Sequence, residues 1–280
     1  MLMSQTKTLL PSFSIDSILD GVVKSWVTIV LIGQWMFGLY IFILYAMPSL
    51  LGSPELASKL SPATGMKKSL GADLMVLFVH ILPAIIMAAS GLLQLFPQLR
   101  KQYPSFHRWN GRVFFVLALS GAFTGMYLTW VAGLRLSDIG AMGVSFNGML
   151  IPIFIALAWY TAVTKRFAAH QRFATHSFIL VNGVWFFRLY LMGWFVMNQG
   201  ANGNTNKIDG PADIAISFLC YLLPMAIVEC VLFAKRSSKT SVKWMVTMFA
   251  SLGALITLIG VGSAVLLMWF PRIQSVFDAL

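Results

Sequence analysis

The chain has 280 residues, of which 58% are hydrophobic and 10% charged, with a mean hydropathy of +0.80. This composition excludes a soluble domain and suits a polytopic membrane protein, in which each span needs ~20 apolar residues to cross ~30 Å of hydrocarbon. The net charge of +11 does not point to nucleic acid, because the basic residues sit at the ends of apolar runs, where they set topology.

Seven runs have the required length: Trp26–Met47, Leu74–Phe96, Val113–Gly133, Val144–Val163, Phe173–Met197, Ile214–Ala234 and Trp244–Phe270. They are continuously apolar and lack period-two alternation, so they read as helices, which satisfy their own backbone groups in lipid, and not as barrel strands. The expected fold is all-α: a polytopic bundle of about seven transmembrane helices, forming one integral membrane domain over residues 1–280. The segment before the first run exceeds twenty residues and carries Asp16 and Asp20, so it reads as part of an anchor and not as a cleavable signal.

With the N-terminus in the cytoplasm, thirteen Lys and Arg residues fall on that side, among them Lys24, Arg100, Arg172 and Lys243. The other side collects six: Lys59, Lys67, Lys68, Arg135, Lys207 and Arg272. The asymmetry favours an inside N-terminus and leaves Arg188 within a span. The long polar connections are 48–72 and 198–213, the latter (NQGANGNTNKIDGPAD) reading as a mobile surface loop. Cys220 and Cys230, ten residues apart on one helix, lie ~15 Å apart along its axis and cannot form a disulfide with each other. Gly121 and Gly125 form a small-xxx-small face expected to bring the third helix close to a neighbour.

Candidate chemistry rests on four histidines. His80 in the second span and Arg188 in the fifth both fall ~10 Å from the outer face. An intramembrane arginine faces the interior and has a partner; no carboxylate shares its depth unless Asp73 or Asp213 reaches in, which leaves an anionic ligand as the sharper reading. His107 lies in PSFHRWNGRVFF, in the first turn of the third helix, with Ser105 as N-cap, Arg108 and Arg112 beside it and Trp109 at headgroup depth. His170 and His176, in AHQRFATHSF, open the fifth span at the same membrane face, and Arg172 and His176 share a helix face. Glu229 is the carboxylate well inside an apolar run at matching depth. His107 and His176 are expected to approach each other as a metal pair.

The stretch HILPAIIMAASGLLQLFPQLRKQYPSFHRWNGRVFFV, followed by AHQRFATHSFIL and Arg188, resembles the bacterial multi-span membrane family labelled domain of unknown function 2306. The resemblance covers residues 72–195 and rests on His80, Gly91 and Gln94, on His107, Arg108, Gly111 and Arg112, and on His170 to Phe173. The later element departs from the pattern, with Ala174 and His176 where methionine and arginine usually follow. The resemblance implies a multi-pass protein of the bacterial inner membrane and leaves the activity undefined.

Two chemistries fit these residues, besides a transporter, sensor or assembly role without catalysis. Histidines on several helices suit haem b, with imidazoles of His80, His107, His170 or His176 on the iron and Arg188 on a propionate, in a protein passing electrons to or from quinone or other redox membrane proteins. Alternatively, His107, His170 and His176 hold a catalytic zinc, with Glu229 as base. No phosphate loop, soluble nucleotide-binding motif or serine-nucleophile elbow accompanies them, and whether the chain is an enzyme stays open.

Overall fold

The computed structural model describes residues 14–53, 56, 60 and 72–279, and these contain helices and turns with no strand. Helix α1 (Ile15–Ile41) opens on Ser14, whose hydroxyl accepts the Ser17 N–H at 3.2 Å, satisfying one of the free donors of a first turn. It continues through a π-helical turn, Phe42–Ala46, into Met47–Leu50. Next come α2 (Ala72–Ile81), α3 (Pro83–Leu95), the short α4 (Pro97–Gln102) and α5 (Pro104–Trp130). Helix α6 (Asp138–Val163) is capped by Ser137, and α7 (Phe167–Val181) and α8 (Gly183–Met197) meet at Asn182. Helices α9 (Pro211–Arg236) and α10 (Thr240–Ala264) follow, and a second π-helical turn, Val265–Trp269, leads into α11 (Phe270–Phe277).

Among the described residues, five helical rods are long and apolar enough to cross a membrane: Ile15–Leu50, Pro104–Trp130, Asp138–Val163, Pro211–Arg236 and Thr240–Phe277. The α7–α8 pair, bent by 57°, makes a sixth if it is one passage. The run read at 74–96 is helical, with a one-residue turn at Leu82. Its apolar helical part, Met75–Gly91, is interrupted between Ile81 and Pro83, where the proline supplies no N–H and its ring crowds the preceding turn. Hydropathy averages over such a break, which is why the sequence pattern reads the run as uninterrupted.

Large apolar side chains such as Ile32, Trp35, Leu39, Leu252 and Leu255 are exposed, as lipid-facing residues are and as a water-soluble monomer seldom tolerates over so wide an area. The interior is closed by small residues. Helix α10 buries Ala250, Ala254, Gly260 and Ala264, and a Cβ added at Gly260 would lie 2.8 Å from the Leu189 carbonyl oxygen of α8, a backbone approach only glycine permits. The small face on α5 behaves differently from expectation. Gly121 has nothing within 4 Å of an added Cβ, whereas one at Gly125 would lie 3.0 Å from the His80 ring, so this glycine makes room for an imidazole and not for a closely packed helix.

Two ion pairs gather one end of the bundle. Lys243 meets Asp16 at 2.6 Å and Lys235 meets Asp20 at 2.6 Å, which sets the start of α1, the end of α9 and the start of α10 together. Lys7, Lys59, Lys67 and Lys68 lie outside the described residues. The 198–210 loop is fastened to Asp213, a carboxylate 1% exposed that accepts from Asn204 Nδ2 at 2.6 Å, Thr205 N at 2.9 Å and Gly210 N at 3.1 Å. The polar composition that reads as a mobile loop supplies the donors that hold it. Cys220 is buried, Cys230 is exposed, and both are free thiols.

Candidate functional site

At the end marked by Asp16 and Asp20, α7 and α9 face each other through three ionisable side chains. Arg172 Nε donates to Glu229 Oε1 at 2.6 Å, and His176 Nε2 meets the same oxygen at 2.5 Å. A shared acceptor requires both nitrogens to be donors, so His176 carries its proton on Nε2. Its other nitrogen, Nδ1, is buried without a partner. The imidazole is 4% exposed, against 36% for the Glu229 side chain and 47% for that of Arg172, so the carboxylate joins a buried ring to an open edge. Phe154 of α6 meets the ring edge-on at 5.5 Å.

These groups line a cavity of about 250 Å³ walled by Phe154, Phe173, Met225 and Ala226. Glu229 stands seven residues before the end of α9, hence ~10 Å from it along the axis. The cavity is apolar on its walls and ionic at one corner.

The other two histidines of this end have different partners. His170 Nδ1 donates to the Ala158 carbonyl at 2.9 Å, so Nε2 is the ring nitrogen outside this bond. His107 lies within electrostatic range of His170 and Arg100, and its Nδ1 is buried without a partner. His107 thus neighbours His170, while His176 is engaged by Glu229. Ser105 is not the cap of α5: Tyr103 holds that position, and the Ser105 hydroxyl accepts from Arg108 at 3.1 Å. Among the described residues, no group of three or more His, Cys, Asp or Glu side chains is placed to hold a metal ion, so the zinc arrangement of His107, His170 and His176 has no geometric support.

The motif residues on α3 and α5 hold helices together. Gln94 Nε2 donates to the His107 carbonyl at 3.1 Å, and Asn110 Nδ2 to that of Ser90 at 2.8 Å. A Cβ added at Gly111 would lie 3.4 Å from Gln94 Oε1, and one at Gly91 would lie 3.1 Å from both Phe114 and Phe178. The family model described as "Predicted membrane protein (DUF2306)" matches residues 77–232, more than half of the chain. The chain belongs to this family. No curated protein and no solved structure matches it. The DUF2306 match begins just before His80 and ends just after Glu229, enclosing all four histidines and Arg188.

At the far end of this DUF2306 chain, His80 Nδ1 lies 3.0 Å from Thr124 Oγ1, and that hydroxyl donates to the Ser120 carbonyl at 2.6 Å. The imidazole is therefore the donor of the pair. His80 is in electrostatic range of Arg188. Arg188 Nη1 donates to the Val184 carbonyl at 3.0 Å, and its guanidinium carbon sits 5.8 Å from the Phe37 ring centroid. Asp213 is committed to its loop, and the Asp73 side chain lies outside those described.

Several participants escaped the sequence reading. At the α7–α8 break, Gln34 Nε2 donates to Asn182 Oδ1 at 2.6 Å, and Asn147 Nδ2 donates to the Leu180 carbonyl at 3.0 Å. The sequence carries a signal for both, since an amide inside an apolar run needs a partner. Tyr40 and Arg272 beside Arg188 had no such signal, because an arginine at a span end reads as a topology marker.

Proposed function

We propose that this DUF2306 protein resides in the bacterial inner membrane with its N-terminus in the cytoplasm, and that it binds a quinone for electron transfer in the Arg172–His176–Glu229 cavity. The observation that carries the reading is the single carboxylate oxygen shared by a half-exposed arginine and a buried histidine, at 2.6 and 2.5 Å, in an apolar cavity. Oxidation of a hydroquinone releases two electrons and two protons. Glu229 is placed to take one proton from a ring hydroxyl, the second proton leaves to water through the open edge, and Arg172 donates hydrogen bonds to the quinone oxygen. The two electrons pass one at a time to an oxidised one-electron acceptor, a redox partner in the membrane.

Haem b is the natural carrier on this chain. His176 does not fit as its ligand, since Nε2 is held by Glu229. His170 and His107 fit better: the Nδ1–H of His170 bonded to a carbonyl is the arrangement that frees Nε2 for a metal. When bound, the haem supplies one-electron chemistry.

The test is quinone extraction from full-length protein purified from membranes and reconstituted in quinone-containing vesicles, compared with Arg172→Met and Glu229→Leu variants. Quinone retained by the wild type and lost by both variants supports the reading. A wild-type protein that retains none sinks it. A dithionite-reduced minus oxidised spectrum of the same sample decides the haem.

A further inference from the structure

The bundle end opposite the Glu229 cavity carries two arginines that the quinone reading does not use. Arg272 follows Lys243 by twenty-nine residues on one helical rod, hence lies ~43 Å farther along it. Arg188 is in electrostatic range of Arg272, Tyr40 and Tyr45. Arg272 lies against the Tyr40 hydroxyl, and Trp269 stacks on Tyr40 and tilts against Phe37, with centroids 6.1 and 5.5 Å apart.

Two like charges set together in an aromatic, low-dielectric surrounding repel each other, and such residues persist where something of opposite charge joins them. Among the described residues, the ion pairs engage Arg135, Arg172, His176, Lys235 and Lys243, and none engages Arg188 or Arg272. Donors are also left over. Arg272 Nη1 is buried with no hydrogen-bond partner, and so is Nε1 of Trp269, a side chain 1% exposed. A snorkelling arginine delivers its guanidinium to water; Arg272 keeps part of its own inside.

The backbone is altered at the same place. The π-helical turns Phe42–Ala46 and Val265–Trp269 each begin six residues before a proline, Pro48 and Pro271. Each contains the residue four before that proline, whose carbonyl an α-helix would drive into the proline ring. The two turns sit side by side, with α11 against the first and α1 against the second. Paired π-turns of this kind widen a helix locally and recur at functional sites. Tyr40 is twenty-five residues into α1, ~38 Å from its start, beyond a ~30 Å hydrocarbon core and within the 40–45 Å that includes headgroups.

We propose that Arg188 and Arg272, with the Trp269 N–H and the Tyr40 hydroxyl, form a binding site for a phosphate-type oxyanion at the headgroup level of the membrane face opposite the Glu229 cavity. Two guanidinium forks offer several directed donors, which match a tetrahedral oxyanion better than a point charge does. The same chemistry is offered by an anionic lipid headgroup and by a phosphate compound in solution on that side.

The experiment uses the full chain, delipidated in a non-phosphorylated detergent. Binding is measured to inorganic phosphate and, by native mass spectrometry, to phosphatidylglycerol, with a galactosyl diacylglycerol as the phosphate-free control. Phosphatidylglycerol binding without phosphate binding identifies a lipid headgroup site, and phosphate binding identifies a soluble ligand; either supports the proposal. Arg272→Gln and Arg188→Gln are each expected to weaken binding by about tenfold or more, the scale of one charge-assisted contact. Because either variant can misfold, phenylglyoxal modification of the wild type is read by peptide mass spectrometry in parallel. The effective probe is expected to protect Arg188 and Arg272 several-fold and to leave Arg236 unprotected. Wild-type protein that binds neither probe, folded variants that bind unchanged, or absent protection of both arginines would overturn the proposal.

Discussion

Glu229→Gln separates two contacts that look alike on paper and differ in surroundings. The substitution keeps the side-chain shape, removes the charge, and leaves one amide oxygen where the carboxylate oxygen served both Arg172 and His176. The Arg172 contact is half-exposed, so solvent screening limits its worth to ~0–1 kcal/mol. The His176 contact ends on a ring 4% exposed whose other nitrogen has no partner, so losing the charged acceptor costs about 1.5–3 kcal/mol. The whole effect is therefore about 2 kcal/mol, a Tm decrease of roughly 4–8 °C for a domain of 150–250 residues or more. Double-mutant cycles of Glu229→Gln with Arg172→Met and with His176→Phe, followed by thermal unfolding in detergent, read the two legs separately. The His176 leg is expected to be the larger. An Arg172 leg equal to or greater than it would refute the argument that burial sets the magnitude.

Helix contacts give a second contrast: Gly121→Ala, with open space around the new methyl, should be neutral or stabilise by up to ~1 kcal/mol through helix propensity. Gly143→Ala, whose methyl would lie 2.2 Å from Ser217 Oγ and 2.8 Å from its backbone carbon, should destabilise by about 1–3 kcal/mol; equal melting temperatures would contradict the packing. Gln34→Leu removes the bond to Asn182 at the α7–α8 break and should cost ~0.6–2 kcal/mol; a Leu variant as stable as wild type would show that the bend does not need this bond. For topology, single cysteines at positions 204 and 170 in a background without Cys220 and Cys230 should give labelling from outside intact cells at 204 and none at 170. The reverse pattern would put the N-terminus outside.

Composition and run length alone determined that this chain is an all-helical membrane protein, because lipid leaves the backbone few alternatives and ~20 apolar residues are legible in any window. The motif around His80, His107 and His170 made the family recognisable for the same reason: those residues are close in sequence or repeat a local pattern. Depth arithmetic along helices also placed Glu229 level with Arg172 and His176, since rise per residue is constant. Rotation about each helix is not constant across breaks, and there the sequence reading stopped. Pro83 and Asn182 divide runs that average as continuous, and the π-turns ahead of Pro48 and Pro271 shift the face that Tyr40 and Arg272 present. Which histidine takes Glu229, that Gly125 faces an imidazole, and that Arg188 finds another arginine are outcomes of how separately specified helices rotate and dock, decided by contacts between residues up to more than a hundred positions apart.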